Sequence, residues 1–174
     1  YIYDKPYDWK KYPIIRLAFN SLTSTKKEII ERNVSYVLED IAEENGFELK
    51  KEGASQKFKE LIYQLYKKHN SQVVVLIDEY DKPILDNILN LSEVEKIRQF
   101  LKEFYGIVKA QEEYIRFAFL TGVSKFTHVS VFSDLNNLTD LTMIPKFAEI
   151  CGFTQQEVEH YFKEWIEENH KQLG

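Results

Sequence analysis

Two adjacent carboxylates follow a run of five aliphatic residues in the middle of the chain. The run Val73–Ile77 has no polar interruption, which is typical of a central parallel strand, and Asp78 and Glu79 come directly after it. A buried strand would hold the first carboxylate rigidly enough to bind a hydrated Mg²⁺ ion. The second carboxylate could then orient and deprotonate a water molecule. The alternative is a strand that ends in polar residues before a turn, with Asp81 capping a short helix.

Hydroxyl side chains follow a second apolar run. Residues Ile115–Leu120 predict another strand, and Thr121, Gly122 and Ser124 come after it. Ligands of parallel α/β sheets bind beyond the carboxyl ends of the strands, so these hydroxyls are candidates for contact with a ligand. Thr121 is preferred because it lies directly at the strand end. The alternative is a turn that Gly122 stabilises, with the hydroxyls capping the next element.

Strands and helices alternate along the sequence. A further strand is predicted at Ile14–Phe19, before the other two. Helix starts are indicated by Thr25 with Glu28, by Ser55, by Ser92 with Glu95 and by Thr154 with Glu157. The alternation predicts βαβ units, right-handed crossovers and a parallel sheet. In the last helix an apolar stripe that includes Tyr161, Phe162 and Trp165 is expected to be core.

Five characteristic segments are distributed over nearly the whole length of the chain. In order they are YDKPYDWKKYPIIRLAF, VVVLIDEYDKPI, FLTGVSKF, SDLNNLTDLT and CGFTQQEVEHYF. This order resembles one bacterial family of AAA-ATPase-like proteins, which are P-loop NTPases and often carry a nuclease-like PD-(D/E)XK domain. The resemblance implies a three-layer αβα sandwich with a parallel sheet, in which Val73–Ile77 lies between the other two strands. A C-terminal helical segment would follow the sandwich.

The resemblance also implies a role for each candidate side chain. VVVLIDE is similar to a Walker B motif, in which Asp78 would bind Mg²⁺ and Glu79 would be the catalytic base. FAFLTGVSKF is similar to a sensor 1 strand, in which Thr121 or Ser124 would contact the attacking water or the γ-phosphate of ATP. The implied cofactors are Mg²⁺ and ATP. Residues 1–125 would form a partial ATPase core, and residues 126–174 a loop and the start of a helical lid or following subdomain.

The phosphate-binding loop of that family is missing from this sequence. None of the six glycines belongs to a G-x-x-x-x-G-K-[ST] pattern. Because the chain also begins at Tyr1 and not at a methionine, we expect a fragment whose phosphate-binding segment lies upstream. That segment is then its first expected partner. We expect no ATP hydrolysis by this chain alone, and we expect no tightly bound cofactor.

The missing segment also leads to an expectation about assembly. In the resembling family, the strand that carries the phosphate-binding loop lies beside the sensor 1 strand. Without it, Ile115–Leu120 should have an open apolar edge. Open edges favour pairing with another chain, so we expect a homo-oligomer.

Composition excludes other classes of protein. The formal net charge of −5 is spread along predicted helix faces and offers no basic surface for nucleic acid. No apolar run reaches the roughly 18 to 20 residues that cross a bilayer. Cys151 is the only cysteine, so no internal disulfide is possible, and no signal segment is recognised. We expect a cytoplasmic protein.

Two other functions remain open at this stage. The first is a regulatory or interaction module that keeps the fold but does not turn over nucleotide. The second is a metal-dependent nuclease whose centre would use Asp78, Glu79, Asp81 and Lys82. These four residues are nearly contiguous after one strand, whereas PD-(D/E)XK sites take their acidic residues from separate positions along a hairpin. The spacing therefore argues against the nuclease.

Overall fold

The computed structural model describes residue 6 and residues 9–123, 131–132, 137–150 and 152–173. The chain divides into two compact units, Tyr1–Asn136 and Asn137–Gly174, which are described one at a time. The first unit contains the sheet and both of the predicted ligand-binding strand ends.

The first unit is built on a three-stranded parallel sheet. Its strands are β1 (Ile14–Ala18), β2 (Val73–Asp78) and β3 (Ile115–Leu120), and their order in the sheet is β1-β2-β3. Both pairings are parallel, with a register irregularity between β2 and β3 at Val73/Val74. The predicted α/β class, the parallel sheet and the central position of β2 are therefore confirmed.

Four helices connect these strands. Between β1 and β2 the chain forms α1 (Lys27–Glu44) and α2 (Ala54–His69), and between β2 and β3 it forms α3 (Lys82–Leu85) and α4 (Leu91–Ala110). Short 3-10 turns at Phe19–Ser21 and Glu112–Tyr114 join the strands to the helices. Both connections step across the sheet in the same direction. Because such crossovers are right-handed, they bring their helices to the same face of the sheet.

The hydrophobic core lies between this face and the helices. Ile15 and Leu17 of β1 and Val75 of β2 are fully buried, as the alternation of side chains along a strand requires when one face is covered. Helix α4 brings aromatic rings against the same layer: Phe104 stacks on Phe58 of α2 at a centroid distance of 4.7 Å. Pairs of this kind add to the stability that burial of their area already provides.

The opposite face of the sheet is largely open. Ile14 of β1 and Phe117 of β3 are 55% and 53% exposed, and Val74 between them is half-buried. We define this open face by Ile14, Arg16, Val74, Leu76, Phe117 and Phe119. The predicted three-layer sandwich would cover β2 on both faces, whereas helices cover one face in the part of the chain that the structure describes. Its residues supply one of the two helical layers of a sandwich.

At the starts of α1 and α4, residues other than the predicted caps accept the backbone hydrogen bonds. Thr25 and Glu28 form no capping box: α1 begins at Lys27, whose backbone N–H donates to the Glu93 side chain of α4 at 2.7 Å. Helix α4 is capped by Asn90, whose side-chain oxygen accepts from the backbone N–H of Glu93 at 3.2 Å. Both corrections arise because a side chain nearer to the unpaired N–H groups satisfies them first.

At the third predicted cap, a glycine takes the N-cap position in place of the predicted serine. Ser55 lies inside α2, and the N-cap position is Gly53, which has a φ of +75°. A glycine adopts this angle without steric cost.

The second unit contains a short 3-10 turn (Pro145–Phe147) and two helices, α5 (Gln155–Tyr161) and α6 (Lys163–Leu173). The predicted capping box of Thr154 and Glu157 is present at the start of α5. The expectation that the aromatic stripe is core was wrong, because Tyr161 is 61% and Trp165 68% exposed. Among the helices of the described chain, none combines the length and apolar character that crossing a bilayer requires.

Candidate active site at the carboxyl ends of the strands

The ends of β2 and β3 are joined by hydrogen bonds between side chains and backbone. Thr121, the residue after β3, donates its hydroxyl to Oδ1 of Asp78 at the end of β2. Its backbone N–H donates to the carbonyl of Ile77 at 2.9 Å, which continues the strand ladder by one step. Two of the residues singled out in the sequence, 43 positions apart, are thus in direct contact. The Asp78 carboxylate remains exposed at this edge.

Glu79 has an unusual backbone and an unpaired carboxylate oxygen. Its φ is +52°, in the left-handed region that residues with a side chain rarely adopt. Its Oε2 atom is buried and has no hydrogen-bond partner among the residues that the structure describes. A strained backbone costs about 1–3 kcal/mol and persists only where the surroundings impose it, and such residues cluster at functional sites.

The segments beyond the two strands are also interlocked. The backbone N–H of Tyr80 donates to the carbonyl of Thr121 at 2.9 Å, and that of Val123 donates to Oδ2 of Asp81 at 3.0 Å. The Asp81 side chain forms no cap of α3, although the residue stands at the N-cap position. From the sequence, Asp81 was a candidate only as a helix cap or as a nuclease ligand. The contact between residues 81 and 123 becomes visible only once the register of β2 and β3 is known.

A buried tyrosine of α4 is hydrogen-bonded to the segment that follows β2. Tyr105 of α4 is fully buried and donates its hydroxyl to the carbonyl of Tyr80 at 2.9 Å. Burial, with a smaller contribution from the charge of Asp81, raises the pKa of the Tyr105 hydroxyl well above its ordinary value. The hydroxyl therefore stays protonated and remains a donor. The sequence held no signal for this role, since Tyr105 follows Phe104 on the buried side of an amphipathic helix.

The lysine next to the carboxylates is engaged elsewhere. Lys82 forms an ion pair with Asp86, which also accepts a hydrogen bond from the Thr23 hydroxyl at 2.9 Å. The hydrogen bond to Asp86 raises the pKa of Lys82, and the charge of Glu79 adds to this to a lesser degree. The same hydrogen bond lowers the pKa of Asp86. Both side chains are therefore held in their charged forms.

The oxygen atoms at this edge fit a hydrated magnesium ion. Mg²⁺ in phosphate-transfer sites keeps several waters and is held by one or two carboxylates together with phosphate oxygens of the substrate. Asp78 offers one exposed carboxylate, and the Thr121 hydroxyl lies beside it. No group of three or more acidic, histidine or cysteine side chains that could hold a metal occurs in the described part of the chain. Asp78 would thus supply one carboxylate ligand, and waters and substrate oxygens would have to supply the others.

Ser124, the other predicted sensor residue, lies outside the residues that the structure describes, as do Cys151 and residues 133–136. Of the predicted site residues, the structure thus locates Asp78, Glu79 and Thr121. Their assigned roles stay predictions.

Comparison with known proteins identifies the family. A family model described as "Predicted AAA-ATPase" matches residues 1–132. The chain belongs to this AAA-ATPase-like family. All three of the located site residues fall within the stretch that the AAA-ATPase-like model matches.

One relative among the curated proteins is a protein of Azotobacter chroococcum mcd 1 with the name "Uncharacterized protein in vnfD 5'region". It is 35% identical over 157 residues, which are 90% of this chain and 30% of that protein. The chain therefore spans less than a third of the length of this relative. No solved structure gives a significant match.

Proposed function

We propose that this chain is the part of an AAA-like ATPase domain that holds Mg²⁺ and activates the attacking water. The observation that carries the proposal is the pairing at the strand ends. Glu79 has a strained backbone and a buried carboxylate oxygen without a partner among the described residues, and the Thr121 hydroxyl contacts the carboxylate of the preceding residue, Asp78. A site of general-base catalysis requires this combination of a rigid position and an acceptor that no protein donor occupies.

Each residue has a distinct part in the proposed reaction. Bound Mg²⁺ supplies positive charge that neutralises the phosphate oxygens of ATP. Asp78, fixed at the end of β2, holds the hydrated ion in place. Glu79 accepts a hydrogen bond from a water molecule and takes its proton as the water attacks the terminal phosphate. Thr121 donates its hydroxyl hydrogen to Asp78 and orients that carboxylate, and the Thr121 oxygen accepts a hydrogen bond from the same water.

The phosphate-binding loop is proposed to come from an upstream segment of the same protein. The sequence contains no G-x-x-x-x-G-K-[ST] pattern, and the matched stretch is only 30% of the relative from Azotobacter chroococcum. The sheet supports such a partner, because β3 is an edge strand and the open face exposes Ile14 and Phe117. An added strand beside β3, with helices on the open face, would complete a three-layer sandwich.

The test compares this chain with a longer form that carries the upstream loop. We expect the isolated chain to bind no ATP and to release no phosphate, whereas the longer form binds Mg²⁺-ATP and hydrolyses it. In the longer form Glu79→Gln should keep nucleotide affinity and lower kcat by about 10²- to 10⁴-fold, the usual loss when a general base is removed. Glu112→Gln, an exposed carboxylate just before β3, is the matched control. Unchanged turnover in Glu79→Gln would refute the assignment.

The same experiment separates the two other functions. A regulatory module without turnover is favoured by the missing loop alone, and it predicts that the longer form binds or ignores ATP but never releases phosphate. A nuclease centre is disfavoured by geometry, since Lys82 pairs with Asp86 and Asp81 is buried against Val123. Metal-dependent cleavage of DNA or RNA by the longer form, abolished by Lys82→Ala, would revive it.

A further inference from the structure

The segments after β2 and β3 are held together by a carboxylate that belongs to neither strand. Asp81 is 1% exposed, and its Oδ2 accepts the backbone N–H of Val123 at 3.0 Å. This bond comes after two backbone bonds between the same segments, from Thr121 to Ile77 and from Tyr80 to Thr121. The side chain of Asp81 therefore extends the connection between the segments beyond the point where the backbone ladder ends.

Gly122 fits closely against the same group. A Cβ atom at this position would lie 2.4 Å from Cε1 of Tyr80 and 2.8 Å from Oδ1 of Asp81. Both distances are shorter than real contacts allow. We call Asp81, Gly122 and Val123 the strand-end clasp. The absence of a side chain on Gly122 lets the segment after β3 approach Asp81 closely enough for Val123 to bond.

The burial of Asp81 has no local explanation in the helix that it precedes. Its carboxylate makes no capping bond to α3, a helix of four residues. Removing a charged carboxylate from water is unfavourable unless other groups compensate for it. One contact of Oδ2 is with the backbone N–H of Val123, in the segment that carries Thr121. The clasp thus acts on the position of that segment.

We propose that Asp81 is a positioning residue for ATP hydrolysis, which acts through Thr121. By holding Val123, it fixes the segment that carries the Thr121 hydroxyl, and that hydroxyl contacts Asp78 beside the carboxylate of Glu79. This inference rests on the ATPase function proposed above. It adds that a residue of the Walker B segment sets the geometry of the sensor side through its hydrogen bond to Val123.

The clasp should affect turnover more than nucleotide affinity. Affinity for ATP comes mainly from the phosphate-binding loop and its lysine, whereas the strand ends orient the metal and the attacking water. In the longer, loop-containing protein we expect Asp81→Ala to lower kcat at least 10-fold and to change KM for ATP less than threefold. Asp81→Asn keeps an acceptor oxygen of the same shape and should recover most of the loss. Asp40→Ala, an exposed carboxylate on α1, is the matched control.

A double-mutant cycle with Thr121→Val tests whether Asp81 acts through Thr121. If it does, Asp81→Ala in the Thr121→Val background should lower kcat less than twofold, because the hydroxyl that it positions is already absent. Full additivity of the two losses would overturn the proposal. If Asp81→Ala does not fold, Val123→Pro removes the same hydrogen bond from the donor side at an exposed position and should give the same result.

Hydrogen exchange separates failure of this inference from failure of the proposed function. In the same protein without nucleotide, amide exchange of residues 120–123 should be at least 10-fold faster in Asp81→Ala than in the wild type or in Asp40→Ala. Unchanged exchange means that the clasp does not hold the segment, and this inference is then wrong while the ATPase function stands. Turnover that is insensitive to Glu79→Gln refutes the proposed function itself and, with it, the role of Asp81 in catalysis.

Discussion

At Glu79 the backbone adopts a conformation that favours glycine, yet a carboxylate occupies the position. The left-handed region costs an L residue about 1–2 kcal/mol relative to glycine. The chain tolerates this cost because β2 ends here and the hydrogen bond from Tyr80 to Thr121 forces the turn immediately afterwards. In a site that depends on the Glu79 carboxylate, the residue that catalysis requires differs from the residue, glycine, that would give the highest stability.

This opposition gives a stability prediction. Glu79→Gly and Glu79→Ala both remove the carboxylate, but only glycine relieves the backbone strain, so Glu79→Gly should be more stable by about 1 kcal/mol. At Asp40 in the middle of α1 the order should reverse, with Asp40→Gly about 1 kcal/mol less stable than Asp40→Ala. Urea unfolding of the four variants measures both differences. The same order at both positions would contradict the strain at Glu79.

Gly122 provides a second test with an internal control. Gly122→Ala places a methyl group 2.4 Å from the ring of Tyr80, and such overpacking typically costs about 1–3 kcal/mol. Gly106→Ala adds a methyl group on α4 with no atom within 4 Å, and it should stabilise the helix by up to about 1 kcal/mol. The free energies of unfolding of the two variants should therefore change in opposite directions. A stabilising Gly122→Ala would mean that the segment is not held against Tyr80.

Among the elements, α1 and α4 are linked by a charged group at the start of both helices. Glu93 lies in the first turn of α4 and accepts the backbone N–H of Lys27 at the start of α1. This hydrogen bond, followed by the one from Lys96, lowers the pKa of Glu93 below its ordinary value of 4.5. An anionic acceptor is favourable at a helix N-terminus, because unpaired N–H groups and the positive end of the helix dipole are both located there.

The lowered pKa predicts a dependence of stability on pH. Because the folded pKa lies below the unfolded one, the contribution of Glu93 is present above the unfolded pKa of about 4.5 and is lost as the pH falls through the folded pKa. Glu93→Gln should therefore lower the melting temperature at pH 7, and the difference from the wild type should shrink below pH 4. Glu112→Gln, in an exposed turn, is the control and should show no such convergence. A constant difference across this range would contradict the prediction.

The elements also show what sequence can and cannot predict here. The strands were located because Val73–Ile77 and Ile115–Leu120 are uninterrupted apolar runs, and their polar ends placed Asp78 and Thr121 at one edge. The caps of α1 and α4 were missed because Thr25 and Ser92 satisfy a local pattern, whereas the actual acceptor for α1 is 66 positions away. The contact of Asp81 with Val123 was missed for the same reason, since it spans 42 positions and depends on the strand register.

For the molecule as a whole, self-association is predicted by the open face and by the edge of β3, which pairs with no further strand among the described residues. Phe117 is 53% exposed and stacks with Phe119 at a centroid distance of 6.0 Å on the open face. A contiguous exposed apolar surface of this kind favours contact with another apolar surface, and an unpaired strand edge favours pairing. We expect the isolated chain to form dimers or larger species as its concentration rises, and sedimentation velocity can measure this.

Substitutions distinguish this surface from others. Phe117→Lys should shift the association to higher concentration by 10-fold or more, since the charge must be desolvated in any face-to-face contact. Tyr36→Lys, at an equally exposed aromatic on α1, should leave it unchanged. A monomer at all concentrations would contradict the expectation, as would an equal effect of the two substitutions.

Because one face of the sheet is open, we expect nucleotide to stabilise the association of this chain with the proposed upstream segment. If the upstream segment both covers the open face and carries the phosphate-binding loop, then ATP contacts two pieces of chain that also share one hydrophobic core. A ligand that binds only the joined state stabilises it by RT ln(1 + [L]/Kd), which is about 2.7 kcal/mol at 100 times Kd. Two separately expressed pieces would then behave as complementing fragments, and Mg²⁺-ATP would stabilise their association by a free energy that grows with the logarithm of its concentration.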